Sequence, residues 1–151
     1  MRKTICGILI AATTILTTMT LASCDIETSS AAGDFNGMWH LTRVDTIATG
    51  GVLDLKKEKI YWAFQYKLMQ ADDKNEKHPK ILMRFNQTNT QLTLHTPYVY
   101  DRENGDMPLS DSTLLAPYGI NKLEENFQVI KLTGSKMVLQ SETLKLTFKG
   151  F

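Results

Sequence analysis

The chain has 151 residues, with 17 basic and 16 acidic side chains and a formal charge of +1. So even a balance leaves no basic excess to point to nucleic acid, and no acidic run marks a solvating tail.

The chain opens on Met1-Arg2-Lys3, a short basic segment. An apolar stretch follows from Ile5 to Leu21, broken only by small and hydroxylated residues, and then Leu21-Ala22-Ser23-Cys24. A basic start, an apolar middle and small residues before a cut site make a secretory signal. The stretch is rich in Thr and weakly flanked, which disfavours a permanent span. Leu-Ala-Ser-Cys resembles the bacterial lipobox, in which the Cys is acylated on sulfur and becomes the new N-terminus. The alternative is an ordinary signal cut after Ala22 or Ser23, which leaves a free thiol at Cys24. Either way Cys6 leaves with the signal, so the mature chain holds no internal disulfide and must be stabilised by its core. Residues 1–23 are thus expected to be a lipoprotein signal peptide and Cys24 the lipidation site, with the mature chain running from 24 to 151. Losing Arg2 and Lys3 moves its formal charge from +1 to −1. The length suits one domain with a proper core. Residues 24–36 are small and polar and read as a flexible tether. At ~3.3 Å per residue it lifts the domain at most ~40 Å from a bilayer.

From Gly37 onward the dominant signal is period-2 alternation, the mark of strands with one buried face. Trp39 and Leu41 alternate with Met38, His40 and Thr42. After the Gly50-Gly51 turn, a short piece at 52–55 counts as a strand. Ile60, Trp62, Phe64, Tyr66 and Leu68 form one face of a long strand over 60–69. A charged loop over 72–79 ends in proline. Ile81, Met83 and Phe85 form the next face, followed by Leu92 and Leu94. The segment 127–132 is apolar on both faces, so it is either covered on both sides or bulged. Met137 and Leu139, then Leu144, Leu146 and Phe148, complete the pattern. The turns are Gly-based or polar. Eight strands in sequential hairpins predict an all-β fold, an eight-stranded up-and-down antiparallel barrel. Between the fifth strand and the closing strands, residues 97–124 are irregular, with Pro97, Pro108 and Pro117 denying a ladder its donors. A connection of that length is a lid, a plug or a binding loop. Met107, Leu109, Leu114, Leu115 and Tyr118 are too many apolar residues to leave in water, which places it over one mouth of the barrel or, alternatively, on the barrel's outside.

Gly37-x-Trp39 at the first strand resembles the start of lipocalins. With the lipobox, the meander and the closing passage of Pro117-Tyr118-Gly119-Ile120, 127–132, 136–139 and 144–148, residues 37–151 resemble the lipocalin-like domains of Bacteroidetes lipoproteins. The resemblance implies an eight-stranded barrel with an interior able to hold a small apolar ligand; it does not imply a catalytic activity. The chain lacks the long C-terminal helix of larger lipocalins.

Little else suggests chemistry. His40, His78 and His95 stand far apart, without partners at metal-ligand spacing, and read as solvated. Asp101 to Asp106 resembles a calcium loop only superficially, with its glycine one position early and Ser112 where a bidentate Glu belongs. Ser110-Asp111-Ser112 lacks a nucleophile elbow. Neither a metal nor a cofactor is expected. The one constellation is aromatic. Trp62, Phe64 and Tyr66, with Met83, Phe85 and Leu94, are candidates to line the barrel. They form either a ligand wall or a core that fills the barrel with its own side chains. The expectation is a membrane-anchored, non-enzymatic binding protein of the cell envelope, periplasmic or surface-facing, that holds a small hydrophobic ligand. The alternative is a filled barrel that docks on an envelope protein. If the lipid anchors the domain, Cys24→Ser moves the protein from the membrane pellet to the soluble fraction while leaving it folded. A Cys24→Ser protein still pelleting with membranes overturns the assignment.

Overall fold

The computed structural model describes residues 32–151; the expected signal peptide, Cys24 and the expected tether up to residue 31 lie outside the described residues. Ten strands form one antiparallel sheet: β1 (Gly37–Thr46), β2 (Val52–Asp54), β3 (Ile60–Gln65), β4 (Leu68–Asp73), β5 (Ile81–Gln87), β6 (Gln91–Val99), β7 (Met107–Pro108), β8 (Glu125–Leu132), β9 (Lys136–Gln140) and β10 (Leu144–Gly150). Eight of them close the barrel in the order β1-β3-β4-β5-β6-β8-β9-β10, and β10 pairs back onto β1. Closure removes the exposed sheet edges that a small β protein must otherwise protect.

β1 makes the closure possible. One edge pairs with β10 from Trp39 to Thr46, while the other pairs first with β3 and then, beyond a bulge at Thr42, with β2. The Thr42 hydroxyl donates to the Thr147 carbonyl at 3.0 Å and pins that bulge. Two further bulges bend the wall. Ile130 is the extra residue in β8, which resolves 127–132 as a bulged strand. Thr96, at φ +53, marks the other in β6.

The expected strand number is found, but two of its members differ from the sequence reading. The run 60–69 is not one strand: it is the β3–β4 hairpin, with Gln65 paired to Leu68 and only Tyr66 and Lys67 between them. Tyr66 takes φ +55 at the first turn position, where glycine is the favoured residue. The piece at 52–55 lies outside the closed ring, since β2 pairs only with β1. Pro97, expected to begin the irregular segment, sits inside β6 at its bulge, where a missing donor costs no ladder bond. Its carbonyl accepts from Leu109 N at 2.9 Å, so even β7 with Pro108 joins the edge. Residues 32–36, assigned to the tether, are part of the domain. Ala32 and Phe35 are buried, and a 3-10 turn spans Gly33–Phe35.

Alternation otherwise predicts the inward faces correctly. Trp39, Leu41, Ile81, Met83, Phe85, Leu92, Leu94, Met137, Leu139, Leu146 and Phe148 all belong to one core. Trp39 Nε1–H donates to the Phe35 carbonyl at 2.8 Å, which fastens the 3-10 turn across the rim where the described chain enters. Trp39→Ala is expected to cost about 3–5 kcal/mol in chemical denaturation. A loss below about 1 kcal/mol would place Trp39 at the surface instead.

Candidate functional site

Five of the six candidate lining residues point into the barrel. Trp62, Phe64, Met83, Phe85 and Leu94 are all buried there. Tyr66 is the correction: at the tip of the β3–β4 hairpin its side chain is 62% exposed, because the two-residue turn ends the strand that would have carried it inward. The interior is built around Trp62. Its ring packs on Phe148 at 4.9 Å, on Phe127 at 5.8 Å edge-on and on Phe64 at 6.2 Å, and Phe64 in turn meets Phe85 at 5.2 Å and Phe35 at 5.3 Å. Tilted and edge-on pairs at these separations are the favoured aromatic geometries. Two surface openings lie among the described residues, one of about 660 Å³ on the outer wall and one of about 590 Å³ at the rim beside Gly33 and Phe35. Neither is lined by any of the six candidates.

The connection from β6 to β8 enters the barrel from the opposite end to the Gly33–Phe35 turn. A 3-10 helix, Ser112–Tyr118, carries Leu115 and Tyr118 into the core, and Ile120 follows them. The sequence listed Leu115 and Tyr118 as residues needing cover. It gave no sign that they and Ile120 complete the core itself, since that segment lacks periodicity. Met107 and Leu114, counted with them, stay partly in water, and the outside-cladding alternative fails because Ile130 is left exposed.

Each end of the plug is held by polar groups. Asp111 caps its start, accepting from Thr113 N at 2.9 Å and the Thr113 hydroxyl at 2.7 Å, and these bonds hold its carboxyl below the usual carboxylate range. Trp62 Nε1–H donates to the Tyr118 carbonyl at 3.1 Å, across the centre of the barrel. The Tyr118 hydroxyl donates to the Pro79 carbonyl at 2.7 Å, and burial pushes its pKa well above the ordinary tyrosine value, so the phenol stays a donor. Beyond the plug, buried Glu125 accepts from Asn121 N at 2.6 Å. Gly119 ends the helix at φ +79, and a Cβ there would stand 2.7 Å from Leu146 Cδ2. Only glycine meets both demands.

Other motifs resolve into structure. The Asp101 carboxylate caps its own turn through Glu103 N and Asn104 N. His40 contacts the Glu58 carbonyl at 2.6 Å, and His95 lies beside Asn86 at 3.2 Å. Among the described residues no His, Cys, Asp and Glu group could hold a metal ion, and no helix is long and apolar enough to cross a membrane.

A closed eight-stranded meander with a 3-10 turn at one rim decides the comparison with known proteins. The sequence pattern of the lipocalin-like domain family matches residues 19–151. The chain belongs to the lipocalin-like domain family. A lipocalin-like protein from Bacteroides uniformis ATCC 8492 superposes with a TM-score of 0.59 at 18% identity, covering 79% of this chain and all of that one. An uncharacterized protein from Bacteroides eggerthii DSM 20697 superposes with a TM-score of 0.55 at 18% identity, covering 78% of this chain and 99% of that one. At such identity the likeness shows the fold alone. No curated protein matches. The lipocalin-like barrel is in general a fold of ligand binding.

Gly119→Ala is expected to destabilise the protein by about 1–3 kcal/mol, because it forces a side chain into a left-handed conformation against Leu146. Chemical denaturation measures this; a change within about 0.5 kcal/mol would show that the plug does not press on the barrel wall.

Proposed function

We propose that the protein is a lipid-anchored, non-catalytic binding protein of the cell envelope that takes a small hydrophobic molecule into its barrel when the plug withdraws. The observation that carries this reading is the way the core is divided. The barrel wall is a closed ladder, whereas Leu115, Tyr118 and Ile120 enter it on a segment that pairs with no wall strand. They are the removable part of the core.

Energetics constrain the ligand. Burying each of these side chains is worth about 1.5–3 kcal/mol, so full withdrawal costs roughly 5–9 kcal/mol before anything replaces them. A gap of about 5.5 kcal/mol corresponds to roughly a 10⁴-fold preference for the closed form. The ligand must therefore return an equivalent apolar surface to the space it opens. Its polar end would find the Trp62 indole N–H, the wall donor that the plug's Tyr118 carbonyl now occupies. The Leu21-Ala22-Ser23-Cys24 motif after an apolar stretch supports the envelope location.

The second reading, a filled barrel that docks on an envelope protein, is favoured by one observation: the aromatic packing around Trp62 is continuous.

Native mass spectrometry of protein purified from its own host, combined with hydrogen exchange, separates the two. The binding reading expects a co-purifying apolar molecule, with exchange at 112–120 faster than in the strands when the barrel is empty and slowed on binding. If an apolar probe demonstrably enters the barrel and leaves that exchange unchanged, the plug is fixed wall and the gated reading fails.

A further inference from the structure

The strand order brings alternate connections to the same end of the barrel. The turns after β3, β5 and β8 and the chain end after β10 share one rim with residues 32–36. From this rim the chain runs back toward Cys24. Only eight residue steps separate Cys24 from buried Ala32, at most ~29 Å when fully extended at ~3.6 Å each.

Charge is distributed unevenly over the two ends. On this rim stand Lys67, Lys131, Lys136 and Lys149, all exposed, against Asp34 among the described residues, while Asp25 and Glu27 lie in the sequence between Cys24 and Ala32. None of the four lysines has an ion-pair partner among the described residues. The ion pairs lie elsewhere. Lys74 and Lys80 meet Asp72, Lys77 meets Glu58 and Lys122 meets Glu142 around the opposite rim, and Arg43–Asp45 and Lys56–Asp54 lie along β1 and β2. Large apolar side chains are also left in water on the lysine rim. Phe151 is 77% exposed, with one side of its ring against Tyr61 at 5.8 Å and His40 at 6.4 Å on the outer wall; Tyr66 stands at its hairpin tip, and Leu68 and Met38 lie beside them. Beside this rim, a groove on the outer wall is lined by Lys136, Lys149, Lys56 and Ser135 and by no carboxylate.

We infer that this rim is a docking surface for an anionic phospholipid bilayer. The lysines meet the phosphate-bearing head groups, the groove beside them accepts one such head group, and Tyr66 and Phe151 enter the interfacial layer. Three observations select the bilayer as occupant: lysines without ion-pair partners that outnumber the acid on the described rim, amphipathic and apolar tips on the same rim, and the short chain leading to the anchor. The inference rests on the lipid-anchor reading and extends it: the plug then faces the aqueous side, so ligand enters from water and not from the bilayer.

The test uses the full-length protein processed in cells and placed in vesicles of phosphatidylcholine and phosphatidylglycerol. Single thiols are introduced by Tyr66→Cys, Phe151→Cys and, on the opposite rim, Met107→Cys, and each is labelled with a fluorophore. Lipids brominated in their chains then quench whatever lies against the bilayer. Quenching at 66 and 151 at least threefold greater than at 107, reduced at least twofold by combined Lys67→Glu, Lys136→Glu and Lys149→Glu or by high salt, is expected. Intact mass reads the acyl groups on Cys24 in the same samples. Acylated protein quenched equally at all three positions overturns the docking surface and leaves the anchor standing. Protein without acyl groups overturns both.

Discussion

The structure depends on the needs of two indole N–H groups. Trp39 and Trp62 face one another across the β1–β3 ladder, both buried. A buried N–H without an acceptor costs the desolvation of that group, about 1–3 kcal/mol. The wall itself is poorly placed to supply one, because strand carbonyls are committed to their ladder partners. Each indole therefore draws in a carbonyl from a segment that is not a wall strand. Trp39 takes Phe35, and the Gly33–Phe35 turn covers one end; Trp62 takes Tyr118, and the Ser112–Tyr118 helix enters the other. Both stoppers of the barrel are thus bolted by the same kind of bond to facing positions of the β1–β3 ladder.

The two bolts are not equivalent in what they hold. Phe35 comes on a short turn continuous with β1, four residues from the tryptophan it serves. Tyr118 comes on a long connection, 56 residues from Trp62 in sequence. Its anchoring is more distributed, through the Asp111 cap, the Pro79 carbonyl and the Glu125 carboxylate. A segment fixed by a few polar bonds and three apolar side chains is the part of such a core that can leave while the ladders persist. In the proposed function gating and core packing are two aspects of one arrangement, and a barrel filled by its own side chains is compatible with a binding fold.

Much of this was legible in the sequence because alternation reports burial directly. The inward faces of β5, β6, β9 and β10, and that Trp39 and Leu41 share the inward face of β1, follow from period 2 alone. The misreadings have local causes. Tyr66 and Lys67 carry no glycine, proline, asparagine or aspartate, so the hairpin between β3 and β4 left no turn signal. The alternation through Ile60, Trp62 and Phe64 runs straight across it to Tyr66, and Tyr66 entered the candidate site for that reason alone. Val52 to Leu55 looks like a strand because it is one, and only the tertiary pairing shows that it lies off the ring. Pro97 marks a bulge as readily as a strand end. Ala32 and Phe35 are two apolar residues in a polar stretch, too few for a pattern. Leu115, Tyr118 and Ile120 fit no period at all, and their place in the core follows from the acceptor that Trp62 requires.

The chain has two tryptophans, so a nitrogen-15 proton correlation spectrum shows two indole signals, one for each bolt. Titrating the labelled protein with an apolar probe tests the central claim most directly. The account predicts that the Trp62 signal shifts as its bond to the Tyr118 carbonyl is released, while the Trp39 signal keeps its position. A probe that binds saturably in the barrel and leaves the Trp62 signal where it was would contradict it.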